Sequence, residues 1–344
     1  MRTSDFDYEL PPSAIAQEPA AERDSSRLMV LPREKGDVRH HVFRHLPDLL
    51  SPGDLVVVNR SRVFPARLLG RRASGGGAEV LLLRDKGEGR WEAMVRPGRH
   101  LRPGQRVTVD EDLTVVVESE ALAGDGRRQI RILSKRREVA AGLERCGHTP
   151  LPPYIRRPDR PEDRDRYQTV YAREAGSIAA PTAGLHFTPA LLDRLRERHI
   201  EVAEVVLHVG PGTFRPVTAA RVEDHIVEPE PFSVPEETAA AVAAARERGG
   251  RVVAVGTTTV RTLESVARAD RGVEARDGHA GLVIVPGFNF RVVDALITNF
   301  HLPRSSLLLL VAAFAGRERV LGAYAEALRA GYRFYSYGDA MLIA

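Results

Sequence analysis

Cysteine is nearly absent: Cys146 stands alone in 344 residues. A single thiol excludes an internal disulfide framework and any multi-cysteine zinc site, and it fits a reducing cytosol. Long hydrophobic runs are missing too. The longest, which begins at Leu307 and ends before Gly316, falls far short of the roughly 20 apolar residues that a spanning helix needs. Met1 to Leu10 is too acidic and too polar for a signal peptide, so a soluble, cytoplasmic protein is expected. The chain holds no Gly-x-x-x-x-Gly-Lys-Ser/Thr loop, and no Gly-x-Gly-x-x-Gly follows a strand. Nucleotide-binding folds that depend on those loops are therefore disfavoured. No internal repeat or low-complexity segment is visible.

What is present supports a sizeable core: 43% of the residues are hydrophobic. The length fits two domains, or one large domain with an insertion. The net charge is only +4, but Arg60 to Arg173 holds 25 Lys and Arg against 16 Asp and Glu, a balance of +9. The remainder holds 25 against 30, a balance of −5. A basic middle on a mildly acidic frame is the footprint of a polyanion-binding segment.

Within that middle, short strand-like pieces follow one another: Ala66 to Arg71, Ala78 to Leu83, Trp91 to Arg96, Arg106 to Val109, Leu113 to Glu118 and Gln129 to Leu133. Gly-rich or Pro-Gly turns separate them, which predicts a small antiparallel β-barrel. Before it, Asp54 to Asn59 carries three consecutive valines, the mark of a strand covered on both faces. After it, helices and strands alternate. Thr188 caps a helix with Pro189 in its first turn, and strand Glu201 to Val209 follows. A helix over Glu236 to Arg248 stops at Gly249-Gly250 and leads into strand Arg251 to Gly256. Thr257 then opens a helix to about Ala269. Strands over Gly281 to Val285 and Asp294 to Phe300, a helix capped by Ser305 or Ser306, and a closing strand-turn-strand over Tyr332 to Ile343 complete the pattern. The expected fold is an α/β main domain (1–65 and 153–344) with the basic barrel (66–152) inserted.

Two peptides have neither helical nor strand periodicity: Ser177 to Phe187 and Leu207 to Pro216. Both gather Gly, Pro, Thr and His, a poor core but a natural ligand wall. Candidate binding residues are Thr182 and Gly184 in the first, and Gly210, Gly212, Thr213 and Arg215 in the second. Gly256-Thr257-Thr258 opens a helix after an apolar strand, so its free amides suit a carboxylate or phosphate. Arg261, one turn on, can pair with the same anion. Four histidines, His186, His208, His225 and His301, sit at strand or turn edges, where imidazoles move protons near neutral pH. Their spacing matches no common zinc pattern. Asn299 and His301 end a buried strand, the usual ligand edge of an α/β sheet. Tyr337 and Asp339 offer an aromatic face beside a carboxylate, suited to a cationic ligand, though the segment equally reads as a turn. Arg27, Asn59 and Arg62 lie in non-periodic polar contexts.

At these residues the chain resembles the S-adenosylmethionine:tRNA ribosyltransferase-isomerases of queuosine biosynthesis. The resemblance spans Asp5 to Ile343 and is carried by Tyr8-Glu9-Leu10-Pro11, Pro65-Ala66-Arg67-Leu68, Leu151-Pro152-Pro153-Tyr154-Ile155 and Tyr167-Gln168-Thr169-Val170-Tyr171. Both peptides above, Val255-Gly256-Thr257-Thr258, Asn299-Phe300-His301-Leu302-Pro303 and Tyr337-Gly338-Asp339-Ala340-Met341 continue it. It implies transfer and isomerisation of the ribosyl part of S-adenosylmethionine onto a 7-aminomethyl-7-deazaguanine in the tRNA wobble position, giving epoxyqueuosine, adenine and methionine. It also implies an α/β domain with an inserted barrel. S-Adenosylmethionine is then a consumed substrate, with no cofactor or metal expected, and the enzyme is expected to act as a monomer.

That chemistry needs proton shuttles, an anchor for the methionine carboxylate and a face for the sulfonium. Catalytic candidates are His186, His301 and His208, with the division between His186 and His208 open. Thr257, Thr258 and Arg261 are assigned to an anionic group of methionine or tRNA, and Tyr337 and Asp339 to the sulfonium or ribose. Arg27, Arg62, Arg67, Arg96 and Arg156 are candidates for tRNA contact. The chain departs from the pattern after His225: where the family commonly reads Met-His-Ser-Glu, it has Val227-Glu228-Pro229-Glu230. Arg60, Pro211 and the stretch after Gly278 also differ. Two other readings compete, a non-catalytic RNA-binding protein and a tRNA methyltransferase. The latter lacks its usual Gly-rich loop.

Overall fold

The computed structural model of the chain describes residues 1–122, 126–135, 138–214 and 216–344. Arg215 and the side chain of Thr213, both named above, lie outside the described residues. Strands β1 (Arg27–Leu31), β2 (Arg39–Val42), β3 (Leu55–Asn59) and β4 (Ser61–Val63) come first. Then come β5 (Arg67–Arg72), β6 (Gly77–Asp85), β7 (Arg90–Arg96), β8 (Arg106–Thr108), β9 (Leu113–Val117) and β10 (Arg127–Ser134). The remainder adds β11 (Glu174–Ser177), β12 (Glu201–Leu207), β13 (Glu230–Val234), β14 (Val252–Val255), β15 (Arg276–Ala280), β16 (Ala295–Asn299) and β17 (Ala340–Ile343).

Among the described residues, β5 to β10 close into a barrel in the order β10-β7-β6-β5-β8-β9, and all its pairings are antiparallel. Alternation along each strand sends Leu68, Val80, Leu82, Val115, Ile130 and Ile132 inside, as the two-residue period requires. The main sheet runs β15-β13-β12-β3-β14-β16-β17-β1-β2. Its centre, β12-β3-β14-β16, is parallel. Helices cover both faces, which explains the continuous valines: Leu55 and Val57 of β3 join one core, Val56 and Val58 the other. The fold is thus an α/β domain with a closed antiparallel barrel built from the basic middle segment.

Thr188 caps the helix Pro189–Glu197, its Oγ1 accepting the Leu191 N–H at 3.1 Å. Ser305 caps Ser306–Ala315 in the same way, at 3.2 Å. Two expected strands are replaced. Gly281 to Val285 is not a strand; its place on β13 is taken by β15, whose Gly278 lies beside the Phe232 ring. Tyr332 to Asp339 is a loop rather than a first strand, because Tyr335 turns the chain at φ +74°. Asp339 then pins that loop by accepting the Arg27 and Arg333 N–H groups at 3.0 and 2.8 Å. The helix from Thr257 ends at Ser265 rather than near Ala269. Ala267 instead bridges to Val273.

Candidate active site

The four parallel strands end side by side. Asn59, Leu207, Val255 and Asn299 are their last residues, and both non-periodic peptides meet this edge, Leu207 to Pro216 as it leaves β12 and Ser177 to Phe187 where Thr182 bonds Asn299. Such an edge is where open α/β sheets hold ligands. Asn59 fastens the centre: its Oδ1 accepts the Ser61 and Leu207 N–H groups at 3.0 and 3.1 Å, and its Nδ2 donates to the Leu207 carbonyl and to Thr258 Oγ1.

Two connected spaces open there. The smaller, about 50 Å³, is bounded by Thr182, Gly256, Thr257, Thr258, Asn299 and His301, with Tyr154, Tyr335 and Ser336 across from them. Gly256, at φ +87°, is the N-cap of the helix Thr257–Ser265 and supplies no side-chain cap, so the first amides keep no side-chain partner there. Thr182 Oγ1 donates to Asn299 Oδ1 at 3.0 Å. His301 is buried, with Nε2 held 2.8 Å from Thr298 Oγ1. Burial pushes its pKa down to about 3, so the ring is neutral.

The larger space, about 1250 Å³, lies between the barrel and the α/β domain and shares Val209 and Leu307 with the smaller one. His208, Gly210, Gly212, His225 and Arg261 line its α/β side. His208 is half-buried, and its ring covers Gly176. Its Nδ1 and the Nε2 of His225 are buried and make no hydrogen bond among the described residues. Burial lowers the pKa of both rings, with Glu174 opposing this at His208. Arg261 is tied elsewhere than to the helix N-terminus. It forms a buried ion pair with Glu230 and donates to the Ala280 carbonyl at 2.7 Å, while Glu230 accepts the Gly210 N–H at 2.7 Å. The pair therefore sets the position of the second peptide.

The remaining predicted residues sit outside both spaces. His186 stands behind Asn299: Asn299 Nδ2 donates to its Nε2 at 3.2 Å, which leaves Nδ1 to donate to Ser26 Oγ at 2.7 Å. Burial, with the Arg333 guanidinium adding, pushes its pKa down to about 3. At Gly184 a Cβ would come 2.1 Å from the Tyr171 hydroxyl, so this glycine serves packing. Tyr337 donates to Asp163 Oδ1 at 2.8 Å, and Asp339 is occupied as described above. Among the arginines, Arg27 lies over the Tyr332 ring at 3.8 Å and Arg67 pairs with Glu79 at 2.8 Å. Arg62, Arg96 and Arg156 are exposed.

Several lining residues escaped the sequence reading. Glu230 closes the Val227-Glu228-Pro229-Glu230 stretch, so the match to the last residue of Met-His-Ser-Glu was the signal for it. His225 was noted there without being assigned a role. Phe64, Leu83 and Trp91 carry no local signal, because only the packing of the barrel turns them inward, whereas Tyr154 lies in a motif that carries the resemblance and Tyr335 and Ser336 adjoin Tyr337.

The family model described as "Queuosine biosynthesis protein" matches residues 3–343. An S-adenosylmethionine:tRNA ribosyltransferase-isomerase of Moorella thermoacetica is 54% identical over 345 residues, covering 100% of both chains. One from an Anaeromyxobacter species is 54% identical over 347 residues, covering 100% of this chain and 99% of its own. The crystal structure of the S-adenosylmethionine tRNA ribosyltransferase of Thermotoga maritima aligns over 99% of this chain and 100% of its own. The two share 42% identity, with a TM-score of 0.57.

Proposed function

The chain belongs to the queuosine biosynthesis protein family, and from that premise we propose how its residues divide the work. It is an S-adenosylmethionine:tRNA ribosyltransferase-isomerase: it transfers and isomerises the ribosyl part of S-adenosylmethionine onto 7-aminomethyl-7-deazaguanine at the tRNA wobble position. Epoxyqueuosine-tRNA, adenine and methionine result. The sulfonium acidifies the neighbouring C–H, and adenine is its own leaving group, so the steps assigned here need only proton transfer, and no cofactor is invoked.

The observation that carries the assignment is that His208 and His225 line the larger cavity, each with a buried ring nitrogen, Nδ1 and Nε2, that has no hydrogen-bond partner among the described residues. Buried neutral imidazoles with an empty acceptor position are suited to take the proton beside the sulfonium and return one to adenine. His301, on the smaller space, is a third proton carrier. His186 acts by orienting Asn299. The N-terminal amides of the helix at Thr257 and Thr258 take the methionine carboxylate, and Thr182 and Asn299 hold a neighbouring hydroxyl. Gly210 and Gly212 let the substrate approach bare backbone, and Arg261 holds that backbone through Glu230.

Carboxylates outnumber guanidinium groups on the larger cavity: Asp85, Glu88, Glu92, Glu144, Asp224 and Glu228 against Arg84 and Arg127, with the Glu230–Arg261 pair neutral. That lining favours the sulfonium and the aminomethyl ammonium and keeps phosphates outside. The exposed Arg62, Arg96 and Arg156 receive the tRNA backbone, with 66–152 as the RNA-gripping module and 1–65 with 153–344 as the catalytic unit. Among the described residues no helix is long and apolar enough to cross a membrane. We place the enzyme, as a monomer, in the cytoplasm with its tRNA.

The test is adenine release from S-adenosylmethionine and precursor-bearing tRNA. His208→Ala and His225→Ala should each slow it by roughly 10²–10⁴, the range of general acid–base groups. Release within about tenfold of wild type in both variants would remove the assignment. A methylated RNA and a demethylated thioether product would point to methyl donation instead, and RNA binding without turnover to a binding protein.

A further inference from the structure

The barrel turns an aromatic wall toward the larger cavity. The rings of Phe64 and Trp91 lie 5.5 Å apart and 34° from parallel, and both line the space together with Leu83, Val139 and Leu143. Trp91 is the only tryptophan in the chain and is half-buried. On β7 it stands opposite Asp85 of β6 and is followed by Glu92. Both of these carboxylates line the same cavity. On the α/β side the stretch His208-Val209-Gly210-Pro211-Gly212 brings two glycines to the lining. Aromatic rings on one side and small residues on the other suit a flat heteroaromatic ring.

The transfer reaction, on which this inference rests, brings two such rings, adenine and the 7-deazaguanine base. Two observations choose between them. Trp91 belongs to the barrel segment 66–152, which is net basic with 17 Lys and Arg against 12 Asp and Glu, whereas the residues proposed for methionine and ribose lie on the α/β side. Glu92 is already paired with Arg127, but Asp85, directly opposite Trp91, calls for a cation close to the stacked ring. The deazaguanine bears its ammonium one carbon from the ring, while adenine is neutral.

We infer that Trp91, backed by Phe64, is the stacking platform for the 7-aminomethyl-7-deazaguanine base, swung out of the tRNA loop into the cavity. Asp85 faces its aminomethyl cation. The base then enters from the barrel side and presents its amine to the sugar held on the α/β side.

Because Trp91 is the only tryptophan, its fluorescence reports this site directly. An anticodon stem–loop RNA carrying 7-aminomethyl-7-deazaguanine, added to wild-type protein without S-adenosylmethionine, should quench that emission saturably, and S-adenosylmethionine alone should leave it unchanged. Trp91→Ala should raise KM for this RNA on the order of tenfold to a hundredfold, the range of one base–aromatic stack. KM for S-adenosylmethionine should stay unchanged, and Trp91→Phe should restore most of the RNA effect. Quenching by S-adenosylmethionine but not by RNA would assign the wall to adenine and overturn the inference. RNA that binds in a filter assay without moving the emission would overturn it as well. RNA quenching without adenine release by the wild-type enzyme would support the platform and reject the reaction.

Discussion

Arg127 on β10 and Glu228 in the loop before β13 form a two-pronged ion pair that joins the barrel to the α/β domain beside the larger cavity. Arg127 also donates to Glu92 of β7 at 2.8 Å. Glu228 occupies a position where the family pattern commonly has histidine, so the link between the two domains is ionic here. Glu228 is 37% exposed and Arg127 12%, and Glu228→Gln should lower unfolding stability by about 1 kcal/mol. Arg127→Met should cost more, since Glu92 loses its partner too. Urea unfolding of the two variants checks the order, and equal losses would mean that Glu92 does not depend on Arg127.

Gly176 lies beneath the His208 ring at φ +142°, and a Cβ there would sit 2.8 Å from His208 Cε1. Gly176→Ala must therefore displace the imidazole, and adenine release should fall toward the level of His208→Ala. Gly212 has open space around it. Gly212→Ala should keep the wild-type melting temperature and change only KM. Comparing kcat, KM and Tm for the two variants separates a displaced histidine from a crowded ligand path.

Glu230 and Arg261 are buried together, at 6% and 8% exposure. Arg261→Met strands a buried carboxylate and should cost about 3–5 kcal/mol, as breaking a buried pair from one side does. The double change Glu230→Gln with Arg261→Met should recover part of that loss. Denaturant unfolding of the single and double variants measures the coupling. A double variant no more stable than the single would show that the charge left behind is not the cause.

Four histidines make stability depend on pH. His186 and His301 are pushed down to about 3 by burial, and burial also lowers His208 and His225. The folded state keeps these rings neutral, whereas the unfolded chain protonates them near pH 6.5. Stability is therefore fully present above about 6.5 and falls as the pH drops toward 3, because the unfolded state binds more protons. His186→Gln should reduce the slope of stability against pH between those limits by about one proton. An unchanged slope in that variant would contradict a neutral His186.

Much of the architecture was legible in the sequence. Barrel strands alternate, β5, β6, β7 and β9 are followed by Gly or Pro-Gly stretches, and the valines of β3 announced burial on both faces. The misses have one cause. β15 is a polar edge strand, held by pairing with β13 and by a glycine that fits the Phe232 ring. Apolar Leu282 to Val285 looked more strand-like, but no partner strand adjoins them among the described residues. The loop before β17 likewise depends on Asp339 reaching Arg27, 312 residues away.

By itself, the sequence determined the chemistry on offer: the Gly, Thr, Asn and His peptides at strand ends, the basic barrel and the family they identify. Those are local properties of composition, period and motif. Tertiary structure alone decided which polar atoms find a partner among the described residues. His186 looked as well placed as His208, yet its nitrogens are taken by Ser26 and Asn299, 160 and 113 residues away. His208 keeps an unpartnered nitrogen because bare Gly176 lies beneath its ring. Arg261, near the helix N-terminus in sequence, points to Glu230 because a buried guanidinium must find a carboxylate. Whether a polar atom is satisfied depends on partners that only the folded chain brings within hydrogen-bond reach.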